Sequence, residues 1–209
     1  MVTEGMKKMA AADHTRHALA KTLKEMAQTM PISRIRVVEL CRRCGVDRRT
    51  FYYHFRDIYD LTAWIYDETV EESVARCGGR ICREALIEAL TRVREDESFF
   101  RCALSEDSQN ALGRYILRYL VELYRGMLIR RMGVESLTEE EMYPVGYHCF
   151  GSVGMVRRWI LSDNAWSPEE FAAMLIENMP PVLRELYEEE TACAANAEQQ
   201  EGGEAADEG

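Results

Sequence analysis

The sequence predicts an all-α protein, with a three-helix helix-turn-helix domain followed by a larger helical domain. Three observations carry that prediction. Glycine and proline are sparse, 13 and 5 in 209 residues, and apolar residues recur at helical rather than strand spacing. The stretch Leu40–Phe55, LCRRCGVDRRTFYYHF, sets two short helical patterns on either side of a glycine turn at Gly45. Charge is also divided: residues 1–60 hold 12 basic and 7 acidic side chains, a net of +5, while the remainder is net −15. A basic segment can approach phosphates while an acidic body is repelled from them.

Residues 1–13 read as a flexible arm. Leu19, Leu23, Met26 and Met30 then follow helical spacing, and Pro31 closes this helix because the residue before a proline is pushed out of the α region. Val37, Leu40, Cys41 and Cys44 form the apolar stripe of a second helix, with Gly45 suited to its left-handed carboxy-terminal position. Asp47 suits the N-cap of a third helix. A fourth starts at Asp57 or Asp60, turns Ile58, Leu61, Trp64 and Ile65 inward, and stops at Gly78-Gly79. Further helices are expected near 80–95, 96–105, 108–132, 139–162 and 168–178, with a short one after Pro180-Pro181. Ser167-Pro168-Glu169-Glu170 is a clear start, with a Ser N-cap, Pro at N1 and Glu at N3. Residues 188–209 carry eight acids and no base and read as an acidic disordered tail.

The third helix carries the chemistry. Arg48 and Arg49 lie at its amino end, where the helix dipole favours phosphate, and Thr50, Tyr53 and His54 can bond to phosphate or base edges. Phe51 and Phe55, four apart, anchor the helix to the first two. A merely solvated basic helix is the plainer alternative. The glycine turn, the preceding short helix and the local positive charge favour DNA reading.

Residues 15–66 resemble the amino-terminal domain of the TetR family of bacterial transcriptional regulators. Leu40-Cys41-Arg42-Arg43-Cys44-Gly45-Val46-Asp47 stands where the family has Ile-Ala-x-x-Ala-Gly-Val-Ser. Thr50-Phe51-Tyr52-Tyr53-His54-Phe55 is similar, nearly residue for residue, to the family's Thr-Leu/Phe-Tyr-Tyr-His-Phe. The resemblance implies a DNA-binding domain over 14–60 and a helical effector-binding and dimerisation domain over 61–187. It implies that Thr50, Tyr52, Tyr53 and His54 lie near DNA, with Tyr52 and His54 facing phosphates. Arg48 and Arg49 are assigned base or nearby phosphate contacts. The family's lysine at the start of helix four is Ile58 here, with Arg56 beside it as a substitute contact, and Arg36 stands where a capping Thr is common. The Ile58-Tyr59-Asp60-Leu61 variant resembles the branch that contains dihydroxyacetone-kinase operon regulators.

In the carboxy-terminal body the resemblance implies a homodimer through about 139–180, with Gly151, Gly154, Trp159 and Phe171 near the interface. Each glycine inside a helix costs about 1 kcal/mol, so Gly146, Gly151 and Gly154 imply close approach of another helix or room for a ligand. The implied pocket for a small-molecule effector is expected among Phe99, Phe100, Tyr115, Tyr119, Tyr147, His148 and Phe150, each of which has an alternative reading as core. Arg114, Arg118 and Arg125 read as a solvated face.

The partners expected are therefore a double-stranded palindromic operator, a second copy of the chain and an effector, with no membrane, metal or cofactor. The longest uncharged apolar run, Tyr143–Val156, is too short and too broken to span a bilayer. Seven irregularly spaced cysteines without a leader segment predict reduced thiols in a cytoplasmic protein. Cys41 and Cys44 share a helix face and read as small buried residues. The alternatives are a thiol- or metal-responsive regulator, and an adaptor that keeps the fold but acts through a protein partner. No phosphate loop, Gly-x-Ser-x-Gly or His-Glu-x-x-His pattern points to an enzyme.

Overall fold

The computed structural model describes residues 2–105, 112–162 and 166–187, with side chains from residue 12 onward; the expected acidic tail lies outside the described residues. No strand occurs among the described residues. Helix α1 spans Val2–Ala27, so the expected arm forms its first turns. The run Met6–Ala12 consists of strong helix formers, which explains why no break separates arm from helix. Pro31 opens a 3-10 turn, Ile32–Arg34.

α2 (Val37–Cys44) and α3 (Arg48–His54) are joined by Gly45, whose φ of 72° lies in the left-handed region that favours glycine. The amide of Val46 donates to the Cys41 carbonyl at 3.0 Å and closes the turn. Asp47 caps α3 by accepting from the Arg49 amide at 2.7 Å. α4 (Ile58–Arg76) starts on Asp57, which accepts from the Asp60 amide. It ends where Gly78 and Gly79 both take positive φ. α5 (Arg83–Glu95), α6 (Glu97–Ser105) and α7 (Leu112–Met132) follow. α8 (Glu139–Leu161) and α9 (Pro168–Glu177) both begin in capping boxes, Thr138/Glu141 and Ser167/Glu170. Residues 181–187 form a last helix, α10.

One continuous apolar core runs from the amino-terminal helices into the body. It joins Leu19, Leu23, Leu40, Phe51 and Phe55 to Leu61 and Ile65 of α4, and onward to Phe99, Phe100, Trp159 and Phe171. A second core gathers Tyr124, Met127 and Leu128 of α7 with Val145, Cys149, Leu183 and Leu186. The end of α1 is fastened to the body by an ion pair between Lys24 and Asp96, and by the Cys102 thiol against the Met30 carbonyl. The sequence-based division near residue 60 is thus bridged by packing on both sides, through α1 against α6 and through α4.

Trp159 and Phe171 occupy the centre of this core, each 1% exposed and stacked at 4.8 Å with 13° between their planes. The Arg94 guanidinium lies over the Trp159 ring at 4.2 Å, and the indole N–H donates to the Trp166 carbonyl. The two rings hold α8 to α9 within one chain rather than facing a second chain. Large rings at these positions gain more by filling an interior than by lying on a surface. By contrast, Gly146, Gly151 and Gly154 of α8 have no neighbouring atom within 4 Å of an added Cβ, so no helix among the described residues approaches them there.

Candidate functional site

The reading head is built from the inside out. Phe51 is fully buried and touches Phe55 at 5.9 Å between ring centroids, which fixes the rotation of α3 about its axis. With Phe51 and Phe55, four apart, on the inward face, the positions between and before them turn outward. Arg48, Arg49, Tyr52 and Tyr53 are exposed, and Tyr53 reaches 77%. Thr50 and His54 are half-buried. The His54 ring packs edge-on to Tyr53 at 5.0 Å. Burial, and then the nearby Arg16 charge, hold its imidazole below the usual range. Near neutral pH it therefore offers one N–H donor rather than a fixed positive charge.

Arg36 is exposed at the N-cap of α2, with no side-chain capping hydrogen bond. Arg56 stands out from the start of α4, and its guanidinium donates to Asp60 at 3.0 Å. Ile58, at the position of the family's lysine, is buried and helps seat α4 on the amino-terminal core. A buried apolar side chain thus stands where a cation was expected, and Arg56 is the exposed cation beside it.

The outer face of α2 holds a feature that sequence reasoning missed. Glu39 accepts hydrogen bonds from both Arg42 and Arg43, and these hold its carboxyl down at about 2. The signal was present in the i, i+3 and i, i+4 spacing. Cys41 is buried, and desolvation pushes its thiol up, away from the reactive thiolate; Cys44 is half-buried beside it. One group among the described residues has metal-ligand spacing, His17 with Glu68 and Glu72. Its members already have partners: His17 lies 3.1 Å from Glu68, and Glu72 pairs with Arg92.

Between α4, α5, α7 and α8 lies a cavity of about 510 Å³, within the roughly 300–1,000 Å³ typical of small-molecule sites. Of the residues expected there, Tyr119 and His148 line it. Tyr115 stacks beside Tyr119 and donates from its hydroxyl to Asp67 at 2.6 Å, just behind the wall. Phe99 and Phe100 are fully enclosed in the main core and do not reach the cavity. Tyr147 and Phe150 are 78% and 68% exposed on the outer face of α8. At about 100° per residue, an inward face through Val145, His148 and Cys149 leaves Tyr147 and Phe150 on the opposite side. The walls that sequence reasoning missed come from α4 and α5, including Tyr66, Glu71 and Leu86.

His148 is mostly buried, its Nε2 3.2 Å from the Ser152 hydroxyl, and desolvation holds its pKa below the usual imidazole range against the opposing effect of a hydrogen bond to the Asn178 backbone. Its folded pKa lies below its unfolded one, so the unfolded chain binds more protons as pH falls. This contribution to stability is present above about pH 6.5 and is lost as pH drops through the folded value. The thermal midpoint is therefore expected to fall between pH 7 and 5, and to fall less in His148→Gln. Equal slopes in the two proteins would remove His148 from the account.

No helix among the described residues is long and apolar enough to cross a membrane. Residues 82–180 match the TetR-type family TetR_C_8, described as "Transcriptional regulator C-terminal region". Among solved structures the chain is similar to "Dihydroxyacetone kinase operon activator DhaS", at 17% identity and a TM-score of 0.56, over 82% of this chain and 96% of that one. It also matches a TetR transcriptional regulator from Rhodococcus sp. RHA1 at 15% identity and a TM-score of 0.48, over 80% of this chain and 99% of that one. No curated protein sequence matches significantly. The fold of this chain is thus similar to that of DhaS, and its residues 82–180 are similar to the carboxy-terminal region of transcriptional regulators.

Proposed function

We propose that this chain, a TetR-type transcriptional regulator, binds a palindromic operator as a homodimer and changes its DNA affinity when a small molecule occupies the cavity among α4, α5, α7 and α8. The observation that carries the DNA-binding part is the outward set Arg48, Arg49, Tyr52 and Tyr53 on a short helix whose inward face is fixed by Phe51. One such helix reads few base pairs, and two related copies read a palindrome.

The surface that suits a second copy is the outer face of α8. Tyr143, Tyr147 and Phe150 are exposed there at helical spacing, interleaved with Gly151 and Gly154, which leave room for a close helix. A contiguous exposed apolar stripe of this kind marks an association surface. Ligand control follows if the cavity differs in volume or shape between two arrangements of the reading heads, because a ligand shifts an equilibrium by its differential affinity for the two states.

The test is fluorescence anisotropy with duplexes tiled across the intergenic DNA flanking the gene, at 50 and 200 mM salt. Sequence-specific binding that weakens steeply with salt is expected. Arg49→Ala is expected to lose about 1–3 kcal/mol of binding, roughly five- to 150-fold, with an unchanged circular dichroism spectrum because Arg49 is exposed. Failure to bind any duplex at low salt would favour the adaptor reading, to which the buried Ile58 and the Arg56–Asp60 pair lend support.

A further inference from the structure

The cavity's chemistry is one-sided. Its lining is almost wholly apolar and includes no lysine or arginine. Its one histidine is held toward the neutral form by burial. The single charged lining residue is Glu71, exposed at the rim and without an ion pair or hydrogen bond among the described residues. Just inside, Tyr66 and Tyr119 meet edge to face at 5.7 Å, and Tyr115 stacks on Tyr119 at 6.5 Å. The hydroxyls of Tyr66 and Tyr119 have no hydrogen-bond partner among the described residues.

Asp67 stands behind this aromatic group. One carboxylate oxygen accepts from Tyr115, and the other, Oδ1, is buried with no partner. The rings of Tyr66 and Tyr119 and the unpaired rim carboxylate create a region of negative potential inside an apolar space, to which the unpaired Asp67 oxygen adds from behind, less fully because burial pushes that carboxyl's pKa up. Ring faces and carboxylates attract cations and repel anions.

We propose that the cavity selects an apolar organic cation, a hydrophobic amine or a quaternary onium, whose charge sits against Tyr66 and Tyr119 under the field of Glu71 and Asp67. The proposal rests on the reading of this cavity as the effector site. An anionic amphiphile such as a fatty acid finds no counter-charge here, and a small polyol would leave most of so apolar a wall uncovered.

Tetraphenylphosphonium and tetraphenylborate share size and shape and differ in the sign of charge, so calorimetric titration of the full chain with each isolates the charge preference. The cation is expected to bind at least about tenfold more tightly than the anion. Glu71→Gln is expected to weaken the cation about three- to tenfold and to leave the anion unchanged or improved, with no change in thermal midpoint. Tyr119→Phe is expected to keep most of the cation affinity, and Tyr119→Leu to lose more than about tenfold, because the ring face is the contact.

Equal or tighter binding of the borate, absence of binding by both ions, or an unchanged cation affinity in Glu71→Gln would overturn the proposal. DNA anisotropy on the same ligand-free samples separates this from the regulator reading. A chain that selects the cation but binds no duplex keeps the charge preference and loses the role as DNA-binding regulator.

Discussion

Phe51→Ala is expected to be the most destabilising single change in the reading head, at about 3–5 kcal/mol, the range for truncating a buried aromatic ring. The ring is fully enclosed and lies in the same core as Leu19, Leu23, Leu40 and Phe55. α3 has only seven residues, far fewer than the roughly 12–15 an isolated helix needs in water. Its existence therefore depends on docking through Phe51 and Phe55, with the Asp47 cap adding about 1 kcal/mol. Phe51→Leu, which keeps much of the buried apolar volume, should cost clearly less than Phe51→Ala. The measurement is the urea midpoint, with DNA anisotropy alongside; an unchanged midpoint in Phe51→Ala would mean that the caps alone hold α3. Because the core is continuous into the body, the loss is expected in the main transition rather than as a separate early step.

The second large effect concerns association. Replacing Phe150 with Arg and Tyr147 with Glu puts charges on the exposed face of α8, where neither ring contributes to the chain's own core. The fold is expected to survive, since both side chains already face solvent. Light scattering at micromolar concentration should change from dimer to monomer. Affinity for a palindromic duplex should then fall by about 10²–10⁴, the gain that linking two binding modules typically confers. A half-site duplex should be bound as before. A wild-type chain that is monomeric under the same conditions, or a double variant that stays dimeric, would move the interface away from this face.

How much of this was legible in the sequence depended on whether the signal was local. Asp47, Gly45, Gly78-Gly79 and Ser167-Pro168 act on their own neighbours, and the helix ends fall where they stand. The Thr138/Glu141 box was as readable, since its Thr-x-x-Glu spacing is in the chain. The cavity was less so. Tyr66 and Leu86 have ordinary core spacing, and only the packing of α4 and α5 against α7 leaves a space between them.

α8 misled for a physical reason. It is apolar on more than one face, so periodicity alone does not separate the inward Val145, His148 and Cys149 from the outward Tyr147 and Phe150. Trp159 and Phe171 stand on consecutive helices, and their stacking appears only once α9 folds back on α8. The charge division, by contrast, described a property of surfaces, which composition does record.

α4 belongs to two neighbourhoods at once. Its first turns, Leu61 and Ile65, lie in the apolar core shared with α3, and its later turns, from Tyr66 to Ala75, wall the cavity. A random-mutagenesis screen would register this as overlap between phenotypes. Variants selected for deafness to the effector should cluster in the same nineteen-residue helix as variants selected for lost repression or activation. Many single substitutions there should score in both selections, whereas hits in α3 and α5 should sort cleanly into one or the other.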